Sequence, residues 1–339
     1  MKHGRKMPRG DKQMAETKII GDQKQRKSID RLLEKAGKDK VINGVIGGKI
    51  PSTSPGRVIK LRKIIEEEFE CSLNGVAFTA DSKHIMVGRE DSYTVLFNVD
   101  GQTNIFSMPG KIQHMHHYIG KIKINGKGLL GFIHDDDLYN ISLYEITSKG
   151  DYGDEPKHIL ANTHPAFISD FAFSPDGRYA AVCGGNREMN QGFVTIHEFD
   201  SLRNVTRVKL DKDFKYFCDA VAYTPDGKYI ITSERTLVLH NADNFEPAGR
   251  LLKPGKTIKG VEASPDGRYV AVGEGYWAGV YESDEKLKLT RIKKIPFSDH
   301  RIEDISFSPD GKYLAMVGRE GFDSPKHGIL MIFNLIREK

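Results

Sequence analysis

The sequence predicts an all-β chain, a β-propeller of about six four-stranded blades behind a basic N-terminal arm. Three observations predict it. One hairpin signature recurs along the chain. Its copies are spaced by roughly the length of one blade. Short apolar stretches with a period of two flank each copy.

The clearest copies are Phe171-Ala172-Phe173-Ser174-Pro175-Asp176-Gly177-Arg178-Tyr179 and Val221-Ala222-Tyr223-Thr224-Pro225-Asp226-Gly227-Lys228-Tyr229. Two more are Val261-Glu262-Ala263-Ser264-Pro265-Asp266-Gly267-Arg268-Tyr269 and Ile305-Ser306-Phe307-Ser308-Pro309-Asp310-Gly311-Lys312-Tyr313. Val76-Ala77-Phe78-Thr79-Ala80-Asp81-Ser82-Lys83-His84 is a weaker copy. The turn aspartates from 176 onward are separated by 50, 40 and 44 residues, and the gap from 81 to 176 leaves room for two units. A degenerate copy, Ile122-Lys123-Ile124-Asn125-Gly126-Lys127, fills that gap. The turn chemistry is explicit. Proline presets the first turn dihedral, aspartate bonds nearby backbone, and glycine accepts positive φ. Each hairpin is followed by a third strand ending near an aspartate, as in Phe97-Asn98-Val99-Asp100 or Tyr281-Glu282-Ser283-Asp284, and then by a fourth strand.

Residues 64–336 resemble the WD40 and TolB/YVTN-type β-propeller families, whose shared cue is this hydrophobic-Ser-Pro-Asp-Gly-basic-aromatic hairpin. The only tryptophan, Trp277, begins a third strand, and there is no Trp-Asp dipeptide. The blades read 73–108, 117–160, 167–210, 217–252, 259–295 and 301–336. The last holds three strands, so the segment 57–63 is expected to supply its outer strand and close the ring. A seventh blade would have to come from residues 38–70, which hold no Pro-Asp-Gly hairpin. Six is the preferred number.

Charge divides the chain in two. Residues 1–63 carry 18 Lys and Arg against 6 Asp and Glu, leaving 33 against 40 for the rest. The arm, residues 1–56, is expected to be partly flexible, with a short helix at about 22–36. Ile29, Leu32, Leu33 and Ala36 share one face of that helix. Arg5, Lys6, Arg9, Lys24, Arg26 and Lys27 are the candidate contacts to a polyanion, nucleic acid included, or to an acidic protein surface. The propeller is expected over 57–339. Three cysteines, no long apolar run and a basic, non-apolar start point to a cytoplasmic, intracellular setting without membrane insertion.

In such a fold the connections from second to third strands and from fourth to first strands gather on one face. The former carry Arg89 and Glu90, Arg187 and Glu188, Glu234 and Arg235, Glu274, and Arg319 and Glu320. The latter carry His117, His164 and His300. These are the candidate partner-binding residues. The recurring Arg/Glu pair also reads as a ring of inter-blade salt bridges. No catalytic elbow, phosphate loop, dinucleotide motif or zinc cysteine pair is present, so no cofactor and no catalytic residue is assigned. The reading is a non-catalytic protein-interaction scaffold that binds through its loop face, with the arm as second contact. Two alternatives stand beside it. One is a metal-assisted lactonase, hydrolase or lyase with its site in the central channel, where Asp135, Asp136, Glu188 and Glu274 could gather. The other is a structural subunit of a larger assembly.

Overall fold

A computed structural model describes residues 58–99, 106–108, 119–134, 140–146, 158–160, 167–186, 191–201, 204–214, 216–234, 236–252, 257–284, 288–297, 299–320 and 327–337. They belong to one compact unit, Ser54–Lys339. Residues 1–57 lie outside the described residues, and so do the expected helix at about 22–36 and the candidate arm contacts Arg5, Lys6, Arg9, Lys24, Arg26 and Lys27.

Each hairpin turn is held by the side chains that predicted it. Ser174 Oγ donates to Asp176 Oδ1 at 2.6 Å, and the same Oδ1 accepts the Arg178 N–H at 3.0 Å. Ser174 Oγ also accepts the Tyr179 N–H at 2.9 Å. The arrangement repeats at Thr79/Asp81, Thr224/Asp226, Ser264/Asp266 and Ser308/Asp310. Gly177 takes φ +65°, and Ser82 takes φ +60° at the same place in the weaker copy. In the degenerate copy Asn125 does both jobs, its Oδ1 accepting the N–H groups of Lys127 and Leu129 at 3.0 and 2.8 Å.

These hairpins build six four-stranded antiparallel sheets. Blade 1 is β2 (Leu73–Phe78), β3 (His84–Arg89), β4 (Thr94–Asn98) and β5 (Phe106–Met108). Blade 2 is β6 (Ile119–Ile124), β7 (Leu129–His134), β8 (Asn140–Glu145) and β9 (His158–Leu160). Blade 3 is β10 (Phe167–Phe173), β11 (Tyr179–Asn186), β12 (Gln191–Ser201) and β13 (Asn204–Phe214). Blade 4 is β14 (Val221–Tyr223), β15 (Tyr229–Ser233), β16 (Leu237–Asn241) and β17 (Pro247–Leu252). Blade 5 is β18 (Ile258–Ala263), β19 (Tyr269–Glu274), β20 (Trp277–Ser283) and β21 (Leu289–Pro296). Blade 6 is β22 (Arg301–Phe307), β23 (Tyr313–Arg319) and β24 (Gly328–Arg337), with β1 (Val58–Phe69) outermost. The closing strand runs to Phe69, six residues beyond the expected end, and pairs along β24 from Val58↔Arg337 to Phe69↔Gly328.

The first strand of each blade lies innermost, and these strands touch in the order β2, β6, β10, β14, β18, β22 and back to β2. The core is divided accordingly into six apolar layers, one at each blade interface. Alternation explains the division. In β2, Val76 and Phe78 pack toward blade 6, against Ala315, Val317 and Leu330, whereas Ala77 packs toward blade 2 with Ile122 and Phe132. Both faces of an inner strand are therefore buried, so the strand reads as a nearly continuous apolar run rather than a half-polar one. At ~25 cal/mol per Å² of apolar surface removed from water, these layers are the main stabilising element of the ring.

Candidate functional site

Two regions follow from this architecture, the channel on the axis and the face where connections gather. The channel is shaped by a repeated irregularity. Pairing skips one residue in β2 (Asn74), β10 (Ser169), β18 (Lys259) and β22 (Glu303), and two in β6 (Gly120 and Lys121). Such bulges re-aim side chains out of the pleat.

The residue just after the bulge meets the next blade. At Gly75 an added Cβ would sit 2.6 Å from Gly120 O and Ile122 N, so the backbones touch. At Asp304 and Asp170 a carboxylate bridges the same gap. Asp304 Oδ2 accepts the Val76 N–H, and Asp170 Oδ2 accepts the Val221 N–H, each at 3.1 Å.

Both aspartates are fully buried, and blade 2 supplies their counter-charges. Lys121 Nζ lies 3.1 Å from Asp304 Oδ1 and donates to Glu303 O and, at 2.6 Å, to Lys259 O. Blade 5 stands opposite blade 2 in a ring of six, so this side chain crosses the axis. Lys123 Nζ lies 3.2 Å from Asp304 Oδ1 and 3.9 Å from Asp170 Oδ1. Lys259 pairs with Asp219 at 2.6 Å, and Glu262 Oε2 accepts the Phe307 N–H at 3.2 Å.

The channel is thus spanned by a network of ion pairs and inter-blade hydrogen bonds. Burial works against the Lys123 charge, but Asp304, Asp170 and Glu262 outweigh it and hold the ammonium above the ordinary lysine range. Burial raises Asp170, and burial lifts Glu262, against the pull of Lys123, to about 7. Between pH 4.5 and about 7 the folded chain keeps the Glu262 proton that the unfolded chain has lost. Stability is therefore expected to fall as pH rises through that window. Glu262→Gln should flatten part of this slope in thermal melts between about pH 5 and 7.5, with Asp170 keeping the rest. An unchanged slope would remove Glu262 as its source.

The loop face holds the sequence candidates, and they separate into two groups. Glu274 is buried and accepts a hydrogen bond from Tyr281 OH at 2.8 Å. Burial and that bond both raise the Tyr281 phenol. Glu234 accepts from Thr232 at 2.8 Å and pairs with His240 at 3.0 Å. Both glutamates brace the third strand of their own blade. Arg319 pairs with Glu303 at 3.0 Å inside blade 6, and Arg89 holds Asp91 two residues away with its Nε at 2.9 Å. Both of these pairs lie within one blade, where an inter-blade ring was also open. His300 is buried, Glu90 is exposed and Glu320 is half-buried. Arg187, Glu188, Arg235, His117, His164, Asp135 and Asp136 lie outside the described residues.

Sequence reasoning did not pick out three residues of this face. Tyr93, Phe167 and Tyr276 are the large apolar side chains that stay exposed among the described residues, at 44%, 48% and 45%. Tyr93 and Tyr276 sit in connections between second and third strands, and Phe167 opens β10 after a connection from a fourth strand. All three therefore lie on the loop face. Among the described residues, no group of three or more His, Cys, Asp and Glu could hold a metal ion, and no helix is long and apolar enough to cross a membrane.

Residues 155–189 match the family model described as WD domain, G-beta repeat. That segment covers β9, β10 and β11. The chain is 24% identical over 295 residues to the U3 small nucleolar RNA-associated protein 18 homolog of Mus musculus, covering 80% of this chain and 50% of that protein. It is 25% identical over 182 residues to Protein HIR1 of Candida albicans (strain SC5314 / ATCC MYA-2876), covering 45% of this chain and 19% of that protein. The chain thus spans half or less of the length of these two relatives. A chain of a solved structure titled Crystal Structure of Mitotic Checkpoint Complex superposes with a TM-score of 0.57 at 14% identity, over 86% of this chain and 96% of that one. The structural likeness shows the propeller fold, and none of the three names a partner for this chain. The repeated Ser/Thr-Pro-Asp-Gly hairpin, the six blades closed by β1 and the matched repeat together make this chain a six-bladed β-propeller with a WD40-like repeat over residues 155–189.

Proposed function

We propose that this chain is a non-catalytic scaffold that holds a protein partner against its loop face, with the basic arm as a second contact. The observation that carries the reading is the placement of Tyr93, Phe167 and Tyr276. The exposed large apolar side chains of the described residues share the face that carries the second-to-third and fourth-to-first connections. They lie on blades 1, 3 and 5 of that face, and exposed aromatics suit partner binding because each buries a large rigid surface at low entropic cost. The channel supports the same reading, since its interior is taken up by Lys121, Lys123 and their carboxylate partners. Cys71, Cys183 and Cys218 are free thiols, which suits an intracellular compartment. One similar protein is named for association with U3 small nucleolar RNA, and a similar chain comes from a structure titled for the Mitotic Checkpoint Complex. They favour a subunit that joins an assembly.

The test is affinity capture from nuclease-treated extract, using the full chain and a chain beginning at Pro55. The expected result is the same protein partner with both, retained less firmly without the arm. No protein retained by either, or retention abolished by nuclease, would overturn the reading.

A further inference from the structure

We propose that the outer edge of blade 5 binds the phosphate backbone of a single-stranded nucleic acid, through Arg291 and Lys294 set over Trp277. Its cations, Arg291 and Lys294, are not among the candidate residues of the loop face or of the arm.

Charge singles out this edge. Residues 64–339 carry more acidic than basic groups, 40 against 33, yet the segment 286–298 holds five Lys and Arg and no Asp or Glu. Its described part, Lys288 and β21, forms an outer strand with Arg291 and Lys294 exposed. Among the described residues, none of Lys288, Arg291, Lys293 and Lys294 lies in an ion pair, whereas Arg268, Arg319 and Arg337 each hold a carboxylate.

Register then places the cations. Trp277 pairs with Pro296, Gly279 with Lys294 and Tyr281 with Arg291, so these side chains share one face of the blade. Lys294 Nζ lies 4.6 Å and the Arg291 guanidinium 5.4 Å from the centre of the indole ring. Two cations are thereby held over one aromatic ring, and Arg291 also meets the Tyr281 phenol. The exposed Tyr276 stands next in the chain.

An edge strand also needs charge to prevent pairing with another sheet, but charges of either sign do that. On β1, the outer strand of blade 6, Glu66, Glu67 and Glu68 fill that role beside Lys60, Arg62 and Lys63. A strand of cations alone, gathered on an indole, matches a different need. Phosphates neutralise Lys and Arg, and an adjacent aromatic ring stacks an unpaired base.

Trp277 is the only tryptophan in the chain, so the site reports on itself. The experiment titrates the full chain with a labelled oligouridylate of about 20 nucleotides, long enough to exceed the site sizes usual for single strands. Label anisotropy and tryptophan emission are followed together over a range of salt. Saturable binding with a matching change in Trp277 emission is expected. Arg291→Gln with Lys294→Gln should weaken binding at least tenfold. It should also lower the slope of log affinity against log salt by about 0.7 for each phosphate no longer neutralised. Circular dichroism and the melting temperature check that this variant stays folded, and Lys228→Gln, on another blade, should leave binding unchanged. Binding that leaves tryptophan emission and the double variant unaffected would assign the nucleic acid to the arm and overturn the proposal. So would absence of binding at about 50 mM salt, where phosphate binding is strong, or a poly-glutamate peptide bound more tightly than the oligonucleotide.

Discussion

Asp304→Ala is expected to lower the melting temperature by about 10 °C, the product of the two magnitudes that follow. Asp304 is fully buried, accepts the Val76 N–H and faces the ammonium groups of Lys121 and Lys123. Removing it leaves two cations with one fewer counter-charge and one backbone donor without an acceptor. Breaking a buried pair in this way costs about 3–5 kcal/mol. For a domain of this size each kcal/mol moves the midpoint by roughly 2–4 °C. The effect should be larger than that of an average core truncation, because Asp304 sits where blade 6 meets blade 1 and the ring closes. Replacing Asp304, Lys121 and Lys123 together by Leu, Met and Met should recover much of the loss, since a buried ion pair is often no better than apolar packing of similar volume. A melting temperature for Asp304→Ala within about 2 °C of the parent, under 1 kcal/mol on the same scale, would show that the channel network does not hold the ring.

The second large effect concerns binding. Tyr93→Ala, Phe167→Ala and Tyr276→Ala combined are expected to reduce partner retention by roughly 30-fold or more, equivalent to about 2 kcal/mol. Their exposure means that the folded state loses little. Each substitution on a surface of this kind usually changes stability by about 0.5 kcal/mol or less. Circular dichroism and melting should therefore match the parent while retention falls. Equal retention by the triple variant would move the partner off the loop face.

The fold was legible because its signals are local. Ser174-Pro175-Asp176-Gly177 and its relatives encode a turn in their own side chains, and the turn sets the register of both flanking strands. Asn125 was enough to keep the degenerate copy in the count. The extent of β1 was less legible. Ile64-Ile65-Glu66-Glu67-Glu68 carries no turn signal, and its strand state comes from β24 alongside it.

The channel was not legible as a unit. Lys121, Lys123, Asp170, Lys259 and Asp304 are separated by up to 183 residues and meet only because six inner strands close on one axis. A hint was present in four of the six first strands, β6, β10, β18 and β22, where a charge interrupts an apolar run, as in Ile119-Gly120-Lys121-Ile122-Lys123-Ile124. Among the described Arg/Glu positions at the second-to-third connections, Glu234 and Glu274 turn inward to His240 and Tyr281. Which way a loop side chain turns depends on what the third strand offers it. Neither the spacing nor the composition carries that information.

The most direct test of the scaffold reading is site-specific photo-crosslinking in cell extract. A benzoylphenylalanine is placed in turn at Tyr93, Phe167 and Tyr276 on the loop face, and at Lys228 and Lys312 in the opposite hairpin turns. The side chains of those two lysines are 73% and 68% exposed, so both positions can reach a partner that approaches from that side. One protein partner should crosslink from the three loop-face positions and not from the two turn positions. Crosslinks to that partner from Lys228 and Lys312, with none from the aromatic positions, would contradict the scaffold reading.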